Sequence, residues 1–557
     1  MSDNRQTPVW VLLALALYLF FSLTYLTLPG LQYDETNFVA AALGKEHSIF
    51  CFWAPRVFGR RVPLMVMSYI GAVKSALYAP IFRFFGESAT TVRLPVVIIG
   101  FFTLLIGYAL FRRMFDPKIA SVSLLLLATD PTFIFGNKLD WGPVSLMLLL
   151  EMASLYFLWR WMKDGKRYFL GIAGLLLGLG LYNKIIFAWF LAALFISLWL
   201  FFRENFKQLL RPRSLACFVP AFLLGCLPLI AFNIGVPMGT FRHRTHFSSF
   251  DIQTLRQRYS LFRGTLGGDG IYYFVNKEDI SDPAAIQTKE PHGLEDFAIG
   301  RIASLPWVER SPLGVQLAGS LFLILIFLVG RRLQKRRSIL FLCANLLIMA
   351  ILICLTPEAT GAQHILSLYP LVFIVVGFAA CELGDWMVKS RPQASAMIAS
   401  VVVLPLLFCQ VILDARYLQS FKAKGGVGVW SDAIYDLTDY ARRNPERKFV
   451  LMEWGLGTQF SLLVDGRTQY QEFTCPGRLK LENCIPAVLE QRDSLLVYFA
   501  PPVGNSALLE DYKSIAEKNH LRAHLKKTFF QRDGRPVYLL FETVPAGQEQ
   551  TQTTNRD

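Results

Sequence analysis

The chain reads as a succession of uncharged apolar runs separated by short, mostly basic connections. Residues 9–28 form the first run. Runs follow at 94–111, 168–183, 185–202, 214–235, 312–330, 338–355, 365–381 and 396–413. Two more, 119–136 and 141–159, fit the pattern with one acid each, Asp130 and Glu151. An α-helix needs about 20 apolar residues to cross a bilayer. The pattern therefore predicts a polytopic α-helical membrane protein of about eleven transmembrane helices. The first run has no small-x-small cleavage site and leads into Pro29-Gly30, so it reads as an uncleaved helix.

Residues 63–85 are apolar but carry Lys74 and Arg83. Charge parity decides their reading. If they do not span, the basic groups at 112–118, 163–167, 203–213, 331–337 and 389–391 all share one side. The positive-inside rule makes that side the cytoplasm, with the amino terminus inside. If they span and the amino terminus stays inside, every cluster moves outside. Residues 63–85 are therefore expected to be a juxtamembrane helix in the outer interface. The loops at about 31–92, 137–141 and 236–311 then share the outer face with the tail.

After residue 414 the periodicity changes. An amphipathic segment at 430–443 precedes a strand-like 448–452. A strand-like 494–499, a helical 506–518 and a strand-like 536–541 follow. This alternation predicts an α/β domain. The expected division is 1–414 in the membrane, 415–546 as an extracytoplasmic α/β domain and 547–557 as a disordered tail.

Composition supports this picture: 54% of the 557 residues are hydrophobic, which excludes an ordinary soluble protein. The net charge of +15 falls in short loops, as topology signals and lipid contacts do, and needs no nucleic acid. Most of the nine cysteines lie in or near apolar runs and read as small buried hydrophobes. Cys475 and Cys484 stand in the polar tail and can pair if that side is oxidising.

Polar groups with chemical potential gather on the expected outer face. Asp34 and Glu35 follow the first helix directly. Alone, such a pair reads as a solvated loop acid or a helix cap. Asp140 sits in a very short loop, where a capping role also fits. Asp130 precedes Pro131 and suits a helix break or cap as well as function. Glu151 is an intramembrane acid, a class that usually faces a cavity or partner. Basic groups on the same side are Arg56, Arg60, Arg61, Lys184, the set at 242–246 with Arg242 and Arg244, and His364. Each alone reads as an interface residue. Together with the carboxylates they suggest a phosphate-binding site beside a general base.

The order of these motifs carries a resemblance. An Asp-Glu pair follows helix one. Arg61-Val62-Pro63-Leu64 opens the next segment, which ends in Phe85-Gly86. Then come Val92-Arg93-Leu94-Pro95, the run 111–117, Ala128-Thr129-Asp130-Pro131 and Leu139-Asp140. Over roughly residues 8–200 this resembles the GT-C class of membrane glycosyltransferases, such as the protein O-mannosyltransferases and the lipid A aminoarabinose transferase. It departs at Val62, where a second Pro is frequent, and at Asp130, where a small residue is usual.

The resemblance implies a GT-C-like fold in the cell membrane and transfer of a sugar from a polyprenyl-phosphate donor on the outer face. Asp34 would be the general base of an inverting reaction, with Glu35 and Asp140 beside it. Arg61, Lys184, Arg242, Arg244 and His364 would bind the phosphate. Paired carboxylates at Asp34 and Asp140 also suit a divalent ion, Mg²⁺ or Mn²⁺, which the resemblance does not require. The expected partners are the lipid-linked donor, membrane lipids and an acceptor glycan, lipid or protein. A transporter or flippase of a lipid-linked sugar is the alternative, and a binding or assembly protein worked by its tail is a third reading. Transporters often carry internal repeats, and no convincing repeat is seen here.

Overall fold

The computed structural model describes residues 6–44, 50–241, 252–275, 293–306, 308–329, 335–357, 359–388, 392–464, 466, 468–474, 484–489 and 493–546. Each of the eleven apolar runs is helical. They begin with α1 (Gln6–Leu23). After a connection carrying α2 (Tyr33–Thr36), α3 (Val39–Ala42) and α4 (Val73–Phe85) come α5 (Ala89–Met114), α6 (Pro117–Ala128), α7 (Pro131–Leu139), α8 (Val144–Asp164) and α9 (Arg167–Asn183). Next are α10 (Ala188–Phe201), α11 (Arg203–Leu209) and α12 (Pro212–Gly235), and later Leu313–Val329, Arg336–Leu355, Tyr369–Met387 and Pro392–Lys424. Among the described residues, six helices are long and apolar enough to cross a membrane, or eight if each bent pair is one span. The protein is a polytopic helical membrane protein.

Local chemistry explains the breaks. Between α6 and α7 the chain bends by 62°. Pro131 opens α7, and the Asp130 carboxylate accepts the Phe133 N–H at 2.9 Å, so Asp130 takes the cap role. Small residues let α9 and α12 approach closely. A Cβ on Gly178 would lie 2.1 Å from the Phe222 carbonyl oxygen, and one on Gly225 would lie 2.4 Å from that of Leu175. Glycine faces of this kind bring helix backbones together in a bilayer.

The expected single helix at 63–85 is two elements. A hairpin of β3 (Met65–Met67) and β4 (Ile70–Gly71) comes first, and α4 fills the second half. The first half is held as strand by a partner distant in pattern. Trp53 N–H donates to the Met65 carbonyl at 3.2 Å, and Leu64 N–H donates to the Trp53 carbonyl at 3.0 Å. Pro63 has no N–H to give a helix. Upstream, β1 (Arg56–Val57) and β2 (Arg60–Arg61) form a further small hairpin.

The C-terminal part is a mixed five-stranded sheet. Its strands are β5 (Lys448–Leu451), β6 (Gln469–Glu472), β7 (Ser494–Phe499), β8 (Leu521–Phe530) and β9 (Pro536–Pro545), in the order β6-β5-β7-β9-β8. β5 pairs parallel with β6 and β7, while β9 runs antiparallel to β7 and β8. The strand-like runs at 448–452, 494–499 and 536–541 are strands, and Ala433–Arg443 and Ser506–Lys518 are helices. β6 and β8 escaped the pattern because they are the edges, with largely polar sequences. The expected division at 414/415 falls inside the continuous helix Pro392–Lys424. Residues 547–557 lie outside the described residues.

One buried ion pair ties the first connection to the bundle. Arg93 in α5 meets Glu35 through Nε at 2.8 Å and Nη2 at 2.8 Å. Its remaining N–H groups reach the carbonyls of Leu26 (3.1 Å), Pro29 (2.7 Å) and Gly30 (3.2 Å). Both side chains are fully buried. Removing one partner of such a pair strands the other charge, at a cost of about 3–5 kcal/mol. Glu35→Gln is therefore expected to lower the thermal unfolding midpoint of the detergent-purified protein far more than an exposed control such as Glu204→Gln. Equal midpoints would contradict this role.

Candidate active site

Asp34 sits on a single helical turn. The Gln32 side chain accepts the Asp34 N–H at 2.7 Å, and the Gln32 N–H donates to Glu35 Oε1 at 3.2 Å, a reciprocal cap. Glu35 points inward to Arg93. Asp34 instead lines a cavity of about 220 Å³ together with Asn37, Tyr69, Trp141, Lys184, Trp189, Gln363 and His364. Its backbone carbonyl accepts the Gly142 N–H at 3.3 Å, joining it to the α7–α8 turn.

Lys184 occupies the break between α9 and the 3₁₀ turn Ile185–Phe187, with extended backbone. It bridges to Ile70 in antiparallel fashion, and the Ile185 N–H donates to the Tyr69 carbonyl at 3.0 Å. The β3–β4 hairpin thus fixes the lysine as a neighbouring strand would. A Cβ on Gly142 would come within 3.3 Å of Lys184 Nζ, so a small residue at the turn makes room for the ammonium. His364 Nδ1 accepts the Gly361 N–H at 3.3 Å. In the neutral ring the proton then stands on Nε2.

Burial holds the Asp34 carboxyl above the ordinary aspartate range, against the opposing pull of the Lys184 charge and a hydrogen bond donated by Tyr33. A raised carboxylate near a cation, inside a cavity, has the character of a general base beside an anion site.

The structure thus brings Asp34, Lys184 and His364 to one cavity, and places the other expected residues that it describes elsewhere. Glu35 is in the Arg93 pair. Asp140 has left-handed backbone (φ 47°). Its Oδ1 accepts the N–H groups of Val144 (3.0 Å) and Ser145 (2.9 Å), and its Oδ2 accepts Lys74 Nζ at 2.6 Å. It caps α8 and anchors α4. Arg61 stands exposed in β2, away from the cavity lining. Arg242, Arg244 and Cys475 lie outside the described residues. Cys484 is disulfide-bonded, and the seven other described cysteines form no disulfide. Among the described residues no three His, Cys, Asp or Glu side chains gather as a cation site. Asp140 has both oxygens engaged, so an ion would find Asp34 without it.

The sequence pattern does not single out Lys74, Arg93, Tyr69, Trp141 or Gln363 as site residues. A signal existed for two of them. Lys74 and Arg93 are charges in apolar helices, and such charges usually have a partner.

Comparison with known proteins places this geometry in context. A profile of the family described as dolichyl-phosphate-mannose-protein mannosyltransferase matches residues 73–232. The undecaprenyl phosphate-alpha-4-amino-4-deoxy-L-arabinose arabinosyl transferase of Pseudomonas aeruginosa is 30% identical over 249 residues, which is 41% of this chain and 40% of that protein. Its Pseudomonas paraeruginosa counterpart is 29% identical over the same length. The chain spans about 40% of the length of the curated relatives it matches. The fold extends further. ArnT from Cupriavidus metallidurans bound to undecaprenyl phosphate superposes with a TM-score of 0.55 at 13% identity, covering 97% of this chain and 98% of that one. The apo oligosaccharyltransferase of Archaeoglobus fulgidus gives 0.51 at 12% identity, covering 89% and 70%. The chain therefore resembles GT-C membrane glycosyltransferases in sequence and shares their fold.

The raised Asp34 carboxyl can be tested without turnover. A hydrophobic carbodiimide, which attacks protonated carboxyls, is expected to label Asp34 at pH values above the usual aspartate midpoint of about 3.9. Lys184→Gln removes a charge that favours the carboxylate, so the labelling profile is expected to move to higher pH. A profile that stays put, or moves down, would show that Lys184 does not act on Asp34.

Proposed function

We propose that this chain is an inverting glycosyltransferase that moves a hexosyl or pentosyl group from a polyprenyl-phosphate donor to an acceptor at the extracytoplasmic face of the cell membrane. The observation that carries the proposal is the single cavity holding Asp34, with its raised carboxyl, together with Lys184 and His364. The names of the matched relatives and the shared fold support it.

In this reading the acceptor hydroxyl gives its proton to Asp34 as its oxygen attacks the anomeric carbon. The bond from that carbon to the phosphate oxygen breaks. The lipid phosphate leaves with the electron pair, and its charge is met by Lys184. In this reading His364 Nε2 donates to the same phosphate. The remaining expected phosphate ligands are Arg61, on the exposed β1–β2 hairpin, and Arg242 and Arg244, which lie outside the described residues. Glu35 and Asp140 act by positioning, through Arg93 and through Lys74 and α8. A divalent ion, Mg²⁺ or Mn²⁺, would find Asp140 already engaged by Lys74, and no step is routed through it. Turnover that falls on chelation and returns with either ion would show that one takes part.

The proposed topology has about eleven spans, the amino terminus in the cytoplasm and the sheet-bearing unit of residues 415–546 outside, over the cavity. The acceptor is a glycan, lipid or protein presented on that side.

Loss of a general base costs about 10²–10⁴-fold in rate. Asp34→Asn is expected to reduce transfer by that factor while donor binding persists. Mass spectrometry of envelope lipids, glycans and glycoproteins from the native host, compared at equal expression, should show one species lacking a sugar and its lipid-linked donor accumulating. Full transfer by Asp34→Asn would overturn the assignment. Purified protein that moves the donor across vesicles without consuming it would point instead to a transporter. The sign of the pH dependence follows from the direction of the shift. Asp34 works deprotonated, so activity is expected to fall with decreasing pH, with a midpoint above about 3.9. Lys184→Gln should move that acidic limb upward.

A further inference from the structure

The β1–β2 hairpin stands apart from the cavity. In its register Arg56 faces Arg61 and Val57 faces Arg60. Like charges directly opposite one another weaken a strand pair. Arg56 and Arg60 are both exposed. The turn is made by Phe58 and Gly59, with φ of 49° and 78°. Glycine takes such a backbone freely, and a bulky aromatic residue rarely does. Phe58 is held there with its whole side chain exposed, and Val57 and Val62 are exposed beside it. Water solvates the arginines but gives the exposed Phe58, Val57 and Val62 nothing. A layer of anionic headgroups over hydrocarbon would satisfy all of them.

The root of the hairpin lies at the end of a spanning helix. Phe52 and Trp53, just before β1, pack on Phe232 with ring centroids 5.9 and 5.7 Å apart. Phe232 belongs to the last turn of α12, one of the helices long and apolar enough to cross a bilayer. Ile234 and Met238, just beyond, are exposed. The exposed apolar surface of α12 therefore continues to the hairpin base, where Val62 N–H donates to the Pro55 carbonyl at 3.0 Å. The same stretch runs on through β3 and β4 to the Ile70–Lys184 bridge.

We propose that the β1–β2 hairpin is a binding site for anionic bilayer lipid. Phe58 enters the boundary between headgroups and acyl chains, and Arg56 and Arg60 hold lipid phosphate oxygens. The site is distinct from the cavity and does not depend on the transferase reading.

The test uses the full-length protein in lipid nanodiscs with a photoreactive benzoylphenylalanine replacing Phe58. Illumination is expected to give lipid adducts, with a yield at least about threefold higher in discs containing phosphatidylglycerol than in phosphatidylcholine alone. The double variant Arg56→Gln/Arg60→Gln should lose that preference. Native mass spectrometry of the protein without the photoreactive residue checks the same point: the double variant should retain fewer anionic lipids than wild type. Adducts to protein instead of lipid, or an anionic-lipid count indifferent to both arginines, would overturn the proposal. Adduct formation needs no sugar transfer, so an enzyme that proves inactive leaves this result readable.

Discussion

The Arg93–Glu35 pair is the constraint on which the site depends. Arg93 lies near the start of α5 and uses all five of its N–H donors, two on Glu35 and three on carbonyls of Leu26, Pro29 and Gly30. It therefore fixes the chain as it leaves α1. Successive residues of a helical turn diverge by about 100°. Once Glu35 is drawn inward by Arg93, Asp34 must face elsewhere, and it faces the cavity. Two adjacent acids thus take different roles because Arg93 claims Glu35 in a two-point pair, whereas Asp34 shares the cavity with Lys184.

Around that point the cavity is assembled from distant pieces of chain. Asp34 comes from the first connection, Lys184 from the α9–α10 break and His364 from the entry to the central helix, whose window is almost wholly buried. The sheet-bearing unit adds its own hold. The hydroxyls of Thr36 and Thr458 meet at 2.8 Å, and Tyr435 donates to the Thr27 carbonyl at 2.8 Å. A Cβ on Gly30 would lie 2.1 Å from the Ser431 carbonyl oxygen, so the two backbones touch where only glycine fits. Trp430 packs against Trp141, which lines the cavity, with ring centroids 5.8 Å apart. Bundle and sheet together set the geometry.

The distribution of similarity fits this division of labour. The matched profile covers residues 73–232, which include Lys74, Arg93, Asp140 and Lys184 but neither Asp34 nor His364. The fold match covers 97% of the chain at 13% identity. A bilayer asks only that spanning helices be apolar and internally hydrogen-bonded, so most of their sequence is free to drift. The polar anchors between helices have less freedom, because each serves a specific partner.

The apolar runs by themselves determined the helical membrane class and the position of every main helix, since a span must be long and uncharged to be stable in lipid. Alternation in the tail likewise revealed the buried strands β5, β7 and β9, but not the polar edges β6 and β8. Asp34, Lys184 and His364 were legible as candidates because polar residues at helix ends in such a chain are few. Only the tertiary structure decided which candidates meet. Glu35 and Asp140 look like Asp34 in sequence, yet Arg93 and Lys74 claim them through contacts 58 and 66 residues apart in the chain. The strand form of residues 65–71 was equally hidden, because its stabilising partners, Trp53 and Lys184, carry no periodic signal. Periodicity reports the environment along one segment; pairing depends on what another segment brings to it.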